Sequence, residues 1–132
     1  MINKIYTAFL QKINTVTPKI DSVYENKACN PINDVPFQEL YILPSDNTSE
    51  YINETTYNME GLFQISLNYP INQGRTPATD RVNLYMDLFP KNTKLTYDGL
   101  LIRQVGIPQI ANLGVVGDRY KIVLRVQFLA VI

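Results

Sequence analysis

The alternation of side chains from Tyr57 to Tyr69 constrains this chain more than any other feature. Its odd positions are Tyr57, Met59, Gly61, Phe63, Ile65, Leu67 and Tyr69. All but the glycine are large and apolar. Its even positions are Asn58, Glu60, Leu62, Gln64, Ser66 and Asn68, polar with one exception. Successive side chains on a strand point to opposite faces, so this period builds one apolar and one polar face. An α-helix cannot use it, because its apolar stripe repeats every ~3.6 residues. At ~3.3 Å per residue a straight strand of this length runs ~40 Å, longer than most strands in globular domains. Gly61 is the expected place for a bend or bulge. The centre of the fold is therefore a long strand with one wet face and one face that needs a cover.

Two segments offer that cover. Ile2, Ile5, Tyr6, Phe9, Leu10, Ile13 and Val16 recur in steps of three and four, which predicts an amphipathic helix ended by Pro18. Thr76-Pro77 predicts the start of a second helix, with the threonine as cap and the proline at the first helical position. Ala78, Val82, Tyr85, Met86 and Phe89 form its apolar face, Asp80, Arg81, Asn83 and Asp87 face water, and Pro90 stops it.

Further strands complete the pattern. Val23-Tyr24 suits a short strand. Pro36 to Pro44 reads as a strand bounded by prolines, and residues 45–56 as a long polar loop. Asp98-Gly99 between two apolar runs signals a tight turn. Pro108 to Asp118 reads as a loop, and residues 120–130 as a last alternating strand. Residues 1–132 thus form a single α+β domain: two layers, a mostly antiparallel sheet and two amphipathic helices packed on one face.

The composition removes much of the usual chemistry. The 132 residues carry 12 basic and 12 acidic side chains, so no net charge draws the chain to nucleic acid or an anionic membrane. Hydrophobic content of 45% and charged content of 18% suit a folded protein. There is no histidine, so the commonest general base and every Cys-His or Ser-His-Asp arrangement are excluded. Cys29 is the one cysteine: it forms no internal disulfide, has no activating base nearby in sequence, and completes no zinc set. Asp46, Glu50 and Glu54 match no calcium-loop spacing. The glycines form no phosphate-cradling motif. The amino terminus does not read as a signal peptide, and no apolar run reaches membrane-spanning length. The expectation is a soluble cytoplasmic protein, in which Asn47-Thr48-Ser49 and Asn53-Glu54-Thr55 are chance glycosylation matches. No enzyme, cofactor or metal is expected, and binding and assembly remain.

Several segments in order carry a resemblance. They are Glu25-Asn26, Pro36-Phe37 with Leu40, and Leu43-Pro-Ser-Asp46. Next come Tyr57, Gly61, Phe63-Gln-Ile-Ser-Leu67 and Tyr69-Pro70, then Gly74. Leu88-Phe-Pro-Lys91, Leu95, Gly99 and Ile102-Arg103 follow. Val105, Pro108 and Asp118-Arg-Tyr120 lead into the closing strand. Across nearly the whole chain this set resembles the small phage tail-terminator-like proteins, which are similar to lambda-type terminators. The resemblance implies a sheet with helices on one side and a hexameric ring at the head-proximal end of the tail tube. Such a ring stops addition of major tail tube protein, presents a joining surface to head-completion or neck proteins, and leaves a lumen through which DNA passes. It implies a virion protein assembled in the host cytoplasm, and no catalytic residues.

On that footing, ring contacts are expected on the polar face at Asn58, Glu60, Gln64, Arg125 and Gln127. Axial contacts are expected in two loops, at Asp46, Glu50, Tyr51 and Glu54, and at Gln109, Asn112 and Val115. Ordinary solvated positions are the competing reading for each. A head-closure or minor tail protein is the alternative function. A small chaperone and an enzyme using the loop carboxylates follow.

Overall fold

The structure, a computed structural model, describes residues 2–17, 19–24, 35–49 and 57–131. The elements are α1 (Ile2–Ile13), β1 (Asp21–Tyr24), β2 (Phe37–Ser49), β3 (Tyr57–Pro70), α2 (Thr76–Leu88), β4 (Lys94–Tyr97), β5 (Leu100–Gln104), β6 (Gln109–Val116) and β7 (Arg119–Val131). One seven-stranded sheet runs in the order β1-β2-β3-β7-β5-β4, with β6 paired to β7 off that path. All described pairings are antiparallel except β1 with β2, so the sheet is mixed. Its centre is β3, as the alternation requires.

The apolar face of β3 is the floor of the core. Met59, Phe63, Ile65, Leu67 and Tyr69 are all buried. Cross-strand partners share a face, so Leu40, Ile65 and Leu124 form one row and Ile42, Phe63 and Val126 the next. Helix α1 closes over them with Ile5, Ala8, Phe9 and Ile13. The Phe9 ring stacks on Phe63 at 4.5 Å between centroids and also meets Phe89 and Phe128. The Tyr6 hydroxyl donates to the Leu40 carbonyl at 2.8 Å, which fixes the helix over β2. Helix α2 adds Ala78, Val82 and Tyr85.

Several sequence expectations need correction. Helix α1 ends at Ile13 rather than running to Val16, because the chain tightens there into i to i+3 turns from Lys12 and Ile13. Helix α2 begins behind Arg75 with no side-chain cap, and Pro77 lies at its second position rather than its first. The Thr76 hydroxyl therefore does not cap it. Arg81 was placed in water but is 3% exposed. Its Nε donates to the Tyr85 hydroxyl at 3.1 Å, and that hydroxyl donates to the Gln38 amide oxygen. A spacing of four puts Arg81 and Tyr85 on one side of the helix.

The stretch read as a loop from residue 45 is strand up to Ser49. Pairing with β3 resumes at Asn47 after an irregularity between Pro44 and Asn47. Proline lacks the amide a ladder uses, and a register shift accommodates it. The bend expected at Gly61 thus falls on its partner, Pro44. Gly61 is required by close approach: a Cβ there would lie 2.7 Å from the Leu43 carbonyl oxygen and 2.9 Å from the Phe128 ring. The segment read as a loop from Pro108 to Asp118 is largely β6, paired along β7 with an irregularity between Asn112 and Gly114. The Asp98-Gly99 turn forms as expected, with both residues at positive φ, 48° and 79°. Cys29 and the second glycosylation match lie outside the described residues.

Candidate functional site

The two helices pack on β2, β3, β4, β5 and β7 from one side. The other side of the sheet has no helix among the described residues. Register places Glu39, Tyr41 and Leu43 of β2, Glu60, Leu62, Gln64, Ser66 and Asn68 of β3, and Lys121, Val123, Arg125, Gln127 and Leu129 of β7 on this open face.

At one end the face carries a fastened polar cluster. The Tyr41 hydroxyl donates to Glu39 Oε2 at 2.6 Å, and Asn68 Nδ2 donates to Glu39 Oε1 at 3.0 Å. Lys121 Nζ lies 3.4 Å from the same oxygen. Burial pushes the Glu39 carboxyl upward, but the Tyr41 hydroxyl, the Lys121 charge and the Asn68 amide outweigh it, leaving the pKa below its ordinary value. Ser66 and Asn68 are consequently buried, so the polar face is not wet along its whole length. Beyond them Arg125 Nε donates to Gln64 Oε1 at 3.1 Å.

Four of the five expected ring-contact residues, Glu60, Gln64, Arg125 and Gln127, lie together on this face. Asn58 occupies a register position on the same face, opposite Val131; its side chain is outside what is described. Glu39, Tyr41, Asn68 and Lys121 were missed as a cluster. Their only sequence signal was polarity at alternate strand positions, which does not say which strands adjoin. Gln109 is exposed and paired with Arg125, also on the open face. Val115 is 66% exposed, and Asn112 lies on the same strand. These three sit on β6, so the second expected contact loop is an edge strand. Asp46 lies in β2 with its side chain outside the described part, as are Glu50, Tyr51 and Glu54 altogether.

The remaining features supply little chemistry. Among the described residues no three His, Cys, Asp or Glu side chains gather as a metal site, and no helix is long and apolar enough to cross a membrane. A cavity of about 220 Å³ beside α1 and β1 is lined by Lys19, Ser22, Gln38 and Arg81 among others. Its described lining holds amide, hydroxyl and cationic groups.

A polar sheet face that no described helix covers is a surface suited to contact. The profile of the phage tail terminator protein family matches residues 4–128. The chain belongs to the phage tail terminator family. Membership covers both helices and almost all of the sheet, including the open face. It assigns the chain a structural role in the phage tail. Six solved chains match in structure. One, named only by a sequence identifier, has a TM-score of 0.81 over 98% of this chain and 95% of its own, at 18% identity. That degree of identity speaks for the fold alone. No curated protein matches the chain.

Proposed function

We propose that this terminator closes the head-proximal end of a phage tail tube as a homohexameric ring, halting addition of tube protein and offering the head-completion protein a surface to join. The observation that carries the reading is the long helix-free sheet face, present in a chain of the tail terminator family. The role is interfacial and structural rather than catalytic. The outer row of Asn58, Glu60, Gln64, Arg125 and Gln127 forms one side of the contact between neighbouring subunits. Their amide and charged groups give register and specificity rather than bulk affinity. Asp46, Glu50, Tyr51 and Glu54 meet the next ring along the tail axis. DNA passes through the lumen, and the ring is built in the host cytoplasm before it enters the virion.

Electron microscopy of particles made by a phage lacking this gene tests the reading. Unjoined heads beside tails of abnormal and variable length are expected. Tails of normal length that fail to join heads would move the protein to head closure. Normal infectious particles would overturn the structural role.

A further inference from the structure

A ring made by one repeated contact needs two unlike surfaces on each copy, because the interface is heterologous. The open face supplies one. The other surface is not legible in the polar pattern, and β6 is where the structure breaks its own rules.

Ile110 pairs with Leu124, and Val115 pairs with Tyr120. Both therefore lie on the helix side of the sheet. Leu124 is fully buried, yet Ile110 beside it is 53% exposed and Val115 66%. The helices that roof β2, β3 and β7 do not extend over β6, so this end of the apolar face is left bare. Val105 and Ile107 ahead of the strand, and Val116 at its end, are also exposed. Residues 104–117 contain no Asp, Glu, Lys or Arg. An outermost strand of a solitary protein is normally guarded by charge, and scattered single aliphatics need no explanation while a contiguous group does.

The same molecule carries a matching patch. On the open face Leu43 is 44% exposed and paired directly with Leu62. Glu60, Gln64, Arg125 and Gln127 surround this spot. An uncharged centre within a polar rim is the usual anatomy of a protein interface. The occupant it accepts must be uncharged and aliphatic, which describes the bare end of β6.

We infer that the apolar side of β6, centred on Ile110 and Val115, is the second half of the subunit contact, and that it seats on the Leu43–Leu62 spot of the next copy. This rests on the ring proposed above. It moves Val115 from an axial contact to a lateral one. The occupant is a second copy rather than the tube protein because both halves of the contact lie on this chain, on different faces, as a closing ring requires.

The test uses the full chain carrying Cys29→Ser, so that only introduced thiols react. Chains with Val115→Cys and with Leu43→Cys are mixed and oxidised, and a third chain carries both. Disulfide dimers are expected from the mixture and not from either chain alone, and a ladder closing at the ring size from the double variant. Ile110→Asp with Val115→Asp should convert the ring to monomer by light scattering. Its melting temperature should stay within about 2–4 °C, since both sites are exposed. A ring that persists in the charged variant, or an intact ring without the cross-link, overturns this contact and leaves the ring reading standing. A parent chain that stays monomeric at every concentration, alone and with its tail tube protein, overturns both.

Discussion

At the scale of single residues, Gly61, Glu39 and Tyr85 each answer to one physical cause. Gly61 is set by space, not by dihedral freedom. Adding one methyl there forces it against the Leu43 backbone oxygen at 2.7 Å. Gly61→Ala should cost about 1–3 kcal/mol of stability in urea unfolding, the range for overpacking a tight site. Glu39 makes a prediction in pH. Its folded pKa lies below the ordinary value of 4.5. The stability it contributes is therefore fully present above that value and is lost as pH falls through the lower, folded one. With solvent screening on this partly exposed face, the contribution is at most about 1 kcal/mol. Urea midpoints measured from neutral pH downward should show Glu39→Gln destabilised at neutrality and converging on the parent in acid. Tyr85 behaves oppositely. Burial raises its phenol above 10.0, against the lowering by Arg81 and Gln38. Its stabilising effect is intact below pH 10.0 and declines as alkalinity rises through the folded value. Tyr85→Phe takes the donor from the Gln38 amide oxygen, and should cost roughly 1–3 kcal/mol.

At the scale of elements, the fold depends on how α1 sits on β3. Phe9 reaches Phe63, Phe89 and Phe128 at once, so one side chain joins the helix to β3, β7 and the end of α2. Phe9→Ala should lower stability by about 3–5 kcal/mol, read as a shift in the denaturation midpoint. Phe63→Asp places an unpaired charge where exposure is zero, and circular dichroism should find that variant unfolded at room temperature. A normal melting curve would mean that β3 faces the other way. Helix α2 depends less on aliphatic packing. Its inner face carries Arg81 and Tyr85, and Gln38 joins them to β1 by donating from Nε2 to the Ser22 hydroxyl at 2.9 Å. A buried arginine next to a buried phenol is a polar joint between layers, and it stands beside the expected apolar face of Ala78, Val82, Tyr85 and Phe89, which is buried.

At the scale of the whole molecule, the sheet has one closed side and one open side. Helices close the first except at β6. The second holds the Glu39, Tyr41, Asn68 and Lys121 cluster at one end and the exposed Glu60, Arg125 and Gln127 towards the other. Gln64→Asp alters the open face by exchanging the amide that accepts from Arg125 for a carboxylate. The monomer should keep its melting temperature, since the site is half-buried and the arginine retains an acceptor. Ring assembly should weaken, seen as a smaller mass in light scattering at equal concentration. Retained assembly would remove Gln64 from the contact. A long polar face and an exposed aliphatic strand on one small domain are the surfaces that the proposed ring contact would use.

The alternation from Tyr57 to Tyr69 was enough by itself to place a central strand, its buried side and the need for two helices above it, because side-chain period and backbone geometry are locked together. The helical stripes and the Asp98-Gly99 turn were legible for the same local reason. The absence of histidine and the ordered set of terminator-like segments carried the functional reading from the sequence alone. What needed the tertiary structure was everything set by contacts distant along the chain. Glu39, Asn68 and Lys121 meet because β2, β3 and β7 are neighbours, a matter of topology that no local pattern encodes. Arg81 is buried because Gln38 and Tyr85 give it polar company. Pro108 to Asp118 holds aliphatic residues without a clean period, so it reads as loop, and pairing with β7 makes Gln109–Val116 a strand. That pairing also carried Ile110 and Val115 beyond the reach of the helices, which is a property of where elements end in space.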